Sequence, residues 1–463
     1  MAVDTTNQKG MITLKRFISI FLIINILLCI YCPTAYASAS TKPDLYSDAA
    51  IVIDAKTGQI IFEKNAYAKE YPASITKILT TLIAIENGDM NSTVTVPSDA
   101  VWGIDSDSSK MYLNEGEQLS LRDALYGVML VSANDASWAV AEHIAGSLEA
   151  FCDMMNQRAK ELGCTGSNFV NSNGLSDKNH YTCAYDMALI TREALKNDEF
   201  RKLTSTYSYT VPKTNMTEEP RYLTQGNRLV QSDSEYYYKY CEGGKTGYTQ
   251  DAGGTLVAWA KKGDIELICV TLKTTGNKEN YTDTISLFDY CFDNYSYTNP
   301  LSDFSFTDDT IIQAENYLNQ LYGGTNLGTL ELSATLDEPI LINNAKFDSL
   351  KYELEMSTTD LDNKIIGKLK ISDDMQEYIS LPVTFSGYIN SEDEEAVLAA
   401  YADGTLVRPK EKKTHRVLII FGVIFVILAS GIAALYLRMK YVQKKRAEYI
   451  KRREKAKKNK QSF

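Results

Sequence analysis

Tyr71-Pro-Ala-Ser-Ile-Thr-Lys-Ile-Leu-Thr-Thr-Leu82 contains Ser74-Ile-Thr-Lys77, the one Ser-x-x-Lys in 463 residues. Pro72 stops the extended chain, and apolar residues then recur at helical spacing. On such a helix Ser74 and Lys77 stand one turn apart on one face. A lysine there takes the serine proton only when neutral, and Ile75, Ile78 and Leu79 supply the desolvation that lowers its pKa. Ser74 also reads as a helix N-cap, which is compatible, because a nucleophile at a helix start gains backbone N–H groups for an oxyanion. The tetrapeptide alone is weak. Ser132-Ala-Asn134 and Lys245-Thr-Gly247 follow it in chain order. The former, alone, is a plain turn between helices. Lys-Thr-Gly also occurs at residues 56–58, where it forms a hairpin turn. The second copy follows Glu242-Gly-Gly244 and leads through Tyr248 to Gly254 into a strand, with small residues that let a substrate backbone approach. Together the three signal a serine acyl-transfer enzyme.

Outward from these motifs, residues 49–54 and 59–63 pattern as a hairpin. Helix signals dominate from Ser74 to about Asn197, with a capping box at Ser120-Leu-Arg-Asp123. Helices are expected over residues 134–145, 148–162 and 185–196. Strands return at residues 207–211, 254–260 and 264–273, before a closing helix over 281–294. Strands flanking a helical block predict an α/β (α+β) domain in which an antiparallel sheet is covered by helices. After Pro300 short alternating stretches with Asp, Asn and Gly separators predict a small β-rich domain over residues 299–400, read as a spacer.

Residues 1–37 have the basic, apolar and small-residue regions of a signal peptide cut after Ala37. Residues 401–416 form a polar stalk, and Val417 to Leu437 is an uncharged apolar run long enough to span a bilayer. Residues 438–463 hold twelve Lys and Arg against Glu448 and Glu454. The positive-inside rule puts this tail in the cytoplasm and the body outside, anchored in the cell membrane by one helix. The tail's +10 and the first 37 residues' +2 leave −23 on the rest, given −11 overall. Such an acidic body excludes nucleic acid as a partner. Six cysteines remain beyond Cys29 and Cys32, widely spaced and without Cys-x-x-Cys, so mostly free thiols are expected. His143 and His180 stand in no HExxH or Cys/His ligand pattern, and no Gly-x-Ser-x-Gly elbow accompanies them. Neither a metal nor an organic cofactor is expected.

Several stretches resemble the low-molecular-mass penicillin-binding D-alanyl-D-alanine carboxypeptidases. They are Asp54 to Asn65, Pro72 to Lys77, Val131 to Ala136, Phe169 to Leu175, His180 to Asp186 and Gly244 to Thr249. The likeness spans roughly residues 44–295 and implies a penicillin-binding-protein/β-lactamase-like transpeptidase fold, with the catalytic domain over 44–298. It implies that Ser74 attacks the penultimate D-alanine carbonyl of a peptidoglycan stem peptide, with Lys77 as base. Ser132 would pass a proton to the leaving nitrogen, Asn134 would hold the substrate amide, and Lys245 and Thr246, followed by Gly247, would bind the terminal carboxylate. Backbone N–H groups of Ser74 and Tyr248 would form the oxyanion hole, and β-lactams would inhibit. Asn173 departs from the family, which often has His there, as does the full span at 417–437 in place of an amphipathic helix. An idle wall-binding protein, a β-lactamase and an endopeptidase on the same fold stay as alternatives, and hydrolysis is not separable from transpeptidation by sequence.

Overall fold

The computed structural model describes residues 41–276 and 278–403. Its centre is a five-stranded antiparallel sheet of β1 (Ala49–Asp54), β2 (Ile60–Lys64), β3 (Cys241–Thr249), β4 (Gly253–Lys262) and β5 (Ile265–Thr274). The strand order is β2-β1-β5-β4-β3, so the first hairpin meets the last strands of the domain, Ala49 pairing with Leu272, and β3 is an edge strand.

Period-2 alternation explains why β1 is buried along its whole length, Ala49 to Asp54. Ile51, Ile53, Val257, Trp259, Ile268 and Val270 enter one apolar core. Their alternates Ala50, Val52, Leu256, Ala258, Leu267 and Cys269 enter a second. Register supports this, with Ile51 opposite Val270 and Val257 also opposite Val270. A sheet apolar on both faces must be covered on both. On one side lie α1 (Lys77–Asn87), α2 (Leu121–Leu130), α3 (Asn134–Ala145), α4 (Leu148–Glu161) and α5 (Ala184–Ala194), all with residues in the first core. The second core takes α6 (Glu279–Asn294), through Leu287, Phe288, Cys291 and Phe292.

Ser120 caps α2 as its pattern predicts, its Oγ accepting the Asp123 N–H at 3.1 Å, while the Asp123 carboxylate accepts the Ser120 hydroxyl rather than the backbone N–H of a full capping box. Cys183 caps α5 through its sulfur. Among the described residues, all six cysteines from Cys152 to Cys291 are free thiols, four of them buried.

The stretch read as β-rich, residues 299–400, differs from expectation in holding two helices. Asp308–Tyr322 is a helix, with Ala314 and Leu318 buried. Asp, Asn and Gly around it read as strand separators, whereas Ile311, Ala314 and Leu318 keep helical spacing. Lys351–Met356, Ile365–Ser372 and Glu377–Ser386 are antiparallel strands. Two compact units divide the described residues: the larger takes those up to Thr307 with 333–384, the smaller takes 308–332 with 385–403. Within the smaller unit Tyr388 Oη donates to Asn319 Oδ1 at 2.6 Å. Helix Glu394–Asp403 runs into the stretch read as stalk. Among the described residues no helix is long and apolar enough to cross a membrane, and residues 1–37 and 417–437 lie outside them.

Candidate active site

Ser74 does not stand inside the α-helix. It lies in a 3₁₀ turn, Ala73–Thr76, that precedes α1. Three residues per turn eclipse positions i and i+3, which sets Lys77 over Ser74 more directly than an α-turn would. Lys77 Nζ lies 3.0 Å from Ser74 Oγ. It also lies 2.7 Å from Asn134 Oδ1 and 2.6 Å from the Asn173 carbonyl. Lys77 is fully buried. Burial, then the charge of Lys245, hold its pKa well below the lysine range, against an opposing pull from Asp135. A neutral amine has two N–H donors and one lone pair. The Asn134 and Asn173 oxygens can only accept, so the lone pair is left for the Ser74 hydroxyl. Asn173 meets Lys77 through its backbone carbonyl, while its side-chain Oδ1 accepts the Leu175 N–H at 3.0 Å.

Ser132 has a left-handed φ of +60°, and Ala73, just before Ser74, has +49°. Non-glycine residues in that region cost about 1–3 kcal/mol and cluster where geometry is imposed by function. The Ser132 turn is imposed by Asp135, a residue the motif reading passed over. Its buried carboxylate accepts the N–H groups of Met111 at 3.0 Å, Leu113 at 3.0 Å and Ala136 at 2.9 Å. Asn134 N–H donates to the Ser109 carbonyl at 2.8 Å, tying the turn to the same loop.

Lys245-Thr-Gly247 sits within β3 rather than in a loop ahead of a strand, with Lys245 opposite Val257 and Gly247 opposite Thr255. Glycines at 243, 244 and 247 hid this strand from its pattern. Lys245 is buried, and its Nζ donates to Ser132 Oγ at 3.0 Å and to the Thr246 carbonyl at 2.8 Å. Burial brings its pKa down to about 7. A Cβ on Gly247 would stand 2.7 Å from the Ser74 nitrogen, so glycine is what lets β3 pass this close to the serine turn. Ser74, Ser132, Thr246, Gly247 and Tyr248 share the wall of a cleft of about 300 Å³, into which Arg228 also projects from a segment the motifs do not cover.

His180 braces the same turn from beneath. Its Nδ1 accepts the Val170 N–H at 3.1 Å, which leaves the proton on Nε2, 2.9 Å from Thr76 Oγ1. Thr76 in turn donates to the Ala73 carbonyl at 2.9 Å. Burial pushes the His180 pKa down to about 4, so it is neutral. His143 meets Ser92 Oγ at 2.8 Å, well apart from this network. Among the described residues no His, Cys, Asp or Glu group is arranged to hold a metal ion.

Gly174 has φ +86°, and a Cβ there would sit 1.8 Å from the Ala73 carbonyl oxygen. Gly174→Ala is therefore expected to push the serine turn out of place and cost about 1–3 kcal/mol in strain. Thermal melting should fall by several degrees, and acylation by labelled penicillin should slow more than tenfold, roughly. A variant acylating at the wild-type rate would show that the turn does not depend on this contact.

A serine on a strained turn, a buried lysine aimed at it and an edge strand alongside define a serine acyl-transfer hydrolase. The chain belongs to the D-alanyl-D-alanine carboxypeptidase family, whose model matches residues 36–276. It is 35% identical over 297 residues to the D-alanyl-D-alanine carboxypeptidase DacF of Bacillus subtilis, covering 62% of this chain and 73% of that protein. Among solved structures it is similar to a D-alanyl-D-alanine carboxypeptidase from Mycobacterium tuberculosis, at 27% identity and TM-score 0.50 over 55% of this chain and 94% of that one. It also shares its fold with the D-alanyl-D-alanine carboxypeptidase DacD from Francisella tularensis, at 24% identity and TM-score 0.60 over 78% of this chain and 99% of that one.

Proposed function

We propose that the protein is a serine D-alanyl-D-alanine carboxypeptidase that removes the terminal D-alanine of peptidoglycan stem peptides through a Ser74 acyl-enzyme. The observation that carries this reading is the Lys77 amine, buried and placed against Ser74 Oγ, Asn134 Oδ1 and the Asn173 carbonyl. Neutral Lys77 takes the Ser74 proton as Oγ attacks the penultimate carbonyl. The oxyanion settles against the backbone N–H groups of Ser74 and Tyr248. The C–N bond then breaks as Ser132 gives its hydroxyl proton to the departing D-alanine nitrogen and takes one from Lys245, whose Nζ donates to its Oγ. Asn134 holds the substrate amide and Thr246 the terminal carboxylate, above the charge of Lys245. β3 offers its free edge to the peptide as one more strand. Water finishes the cycle by hydrolysing the ester, and penicillins are trapped at the same serine.

The proposal extends to placement. Residues 1–37 direct export, the body works outside the cell, residues 299–400 hold it off the membrane, and 417–437 anchor it. This rests on the uncharged run followed by a basic tail. A chain ending at Lys413 is expected to leave the cell as soluble enzyme and release D-alanine from a peptide ending in D-Ala-D-Ala, while the full chain stays with membranes. Retention of the shortened chain in membranes would overturn the single anchor. A soluble chain releasing no D-alanine would overturn the activity.

A further inference from the structure

Trp102 ends the short helix Ser98–Trp102, and Tyr112 stands on the loop that runs from it to the strand Gln118–Ser120. Each is 76% exposed, an uncommon place for side chains of this size. Neither ring is adrift. Trp102 Nε1 donates to Glu115 Oε2 at 3.2 Å. Tyr112 has φ +58°, a region where a bulky residue is a true outlier. Its turn is clamped from behind. Asp135 accepts the Met111 and Leu113 N–H groups, and Arg221 Nε donates to the Met111 carbonyl at 3.1 Å. Arg221 is fixed in turn by buried Glu117, at 2.7 and 2.9 Å, which also accepts Thr214 Oγ1 at 2.8 Å. Asn215 ties the neighbouring loop on, accepting the Gln118 N–H at 2.7 Å and donating to the Gly116 carbonyl at 3.0 Å.

A single exposed ring is ordinary and needs no explanation. Here a strained backbone, buttressed by buried charges, holds a ring out in water. Packing gains nothing from that turn, because the ring it aims lies outside the core. Asp105, Asp107, Lys110 and Asn114 share the loop with the rings. Protein interfaces are depleted of charge at their cores, so a protein partner fits this surface poorly. A pyranose fits it well. Its C–H face meets the negative face of an aromatic ring, and its hydroxyl and acetamido groups find the polar side chains alongside.

The loop also leads to the cleft. Ser109 lines the wall beside Ser74, and its carbonyl accepts the Asn134 N–H at 2.8 Å. A stem peptide is joined at its N-terminus to a chain of N-acetylhexosamines. Four residues upstream of the scissile bond reach ~14 Å when extended, and the chain from Ser109 to Tyr112 reaches ~10 Å. The two reaches are comparable, so a peptide seated at Asn134 can bring its sugar to the rings.

We propose that Trp102 and Tyr112 form a platform for the N-acetylhexosamine glycan that carries the stem peptide, so that the enzyme prefers peptides still attached to glycan. This inference rests on the carboxypeptidase reading for its substrate. The test uses the full chain and two substrates: a free pentapeptide ending in D-Ala-D-Ala, and the same peptide on an N-acetylhexosamine disaccharide. D-Alanine release gives kcat and KM for wild type, Trp102→Ala, Tyr112→Phe and Tyr112→Asn. Asparagine tolerates the left-handed φ, so that variant removes the ring and keeps the turn.

Wild type is expected to favour the disaccharide substrate about tenfold in kcat/KM, chiefly through KM. Trp102→Ala and Tyr112→Asn should lose most of that preference, and Tyr112→Phe should keep it. On the free peptide all three should stay within about twofold of wild type. A tetramer of β-1,4-linked N-acetylglucosamine, added alone, should shift tryptophan fluorescence in wild type and not in Trp102→Ala. A wild type without the preference, or variants that lose equally on both substrates, would overturn the platform and leave the carboxypeptidase intact. So would variants that change only the oligomeric state, which would give this surface to a second copy of the chain. Failure to release D-alanine from either substrate would overturn the carboxypeptidase reading instead, and the fluorescence response to the tetramer would still decide whether the rings bind glycan.

Discussion

Ser74→Ala is expected to abolish covalent labelling by penicillin, with the acylation rate falling on the order of 10³–10⁶-fold, as for the loss of a catalytic serine elsewhere. Mass spectrometry of digested wild-type enzyme should find the adduct on the peptide carrying Ser74. The fold should survive, because the Ser74 hydroxyl bonds to Lys77 alone among the described residues, and a neutral Lys77 keeps Asn134 and Asn173. The rival nucleophile is Ser132, whose Oγ is also 3.0 Å from a lysine amine. Lys245 is well enough depressed to serve as a base. What separates the two serines is the carbonyl's other requirement. Ser74 opens a helix and borders the edge strand at Gly247, where backbone N–H groups can receive an oxyanion; Ser132 stands just past the C-terminal end of α2, where helix carbonyls are exposed. An adduct on the Ser132 peptide, or labelling that persists in Ser74→Ala, would reverse the assignment.

Sequence made legible what is local. Ser74 with Lys77, the turn at Ser132 and the capping box at Ser120 each span three or four residues, so spacing alone predicts their contacts. Lys245-Thr-Gly247 was legible as chemistry and not as structure. Glycines that admit the Ser74 backbone also erase the alternation by which a strand is recognised. The Asn173 carbonyl lies 96 positions from Lys77 and acts through its backbone, so its side chain carries no signal. Asp135 was quoted within a motif, yet its three backbone partners come from a loop more than twenty residues earlier, apart from Ala136. Arg228 belongs to no motif and lies beside Tyr236, from the segment ahead of β3, and Tyr281, from α6. Topology, not pattern, supplies these groups.

Lys77→Arg should eliminate acylation almost completely, although it keeps a cation in the same place. Lysine's value here is that burial, with Lys245 adding to it, strips its proton; arginine resists the same environment by about two to three further units of intrinsic basicity. The sign of the pH dependence follows. Lowering the amine's pKa moves the onset of activity down, so wild-type acylation rises as pH climbs through that lowered value and does not wait for the ordinary lysine range near 10.5. The arginine variant has no deprotonated form to reach, so raising pH should recover nothing. A packing explanation for its failure is tested by Lys77→Met, which is neutral and of similar length. That variant should fold, as judged by a cooperative melt, and should be as inactive as Lys77→Arg, the loss being on the order of 10³-fold or more in each. Stopped-flow acylation from pH 5 to 10 provides the measurement. If Lys77→Arg acylated near the wild-type rate, or if Lys77→Met kept a pH profile like the wild type's, the base would lie elsewhere, with Lys245 acting through Ser132 the next to examine.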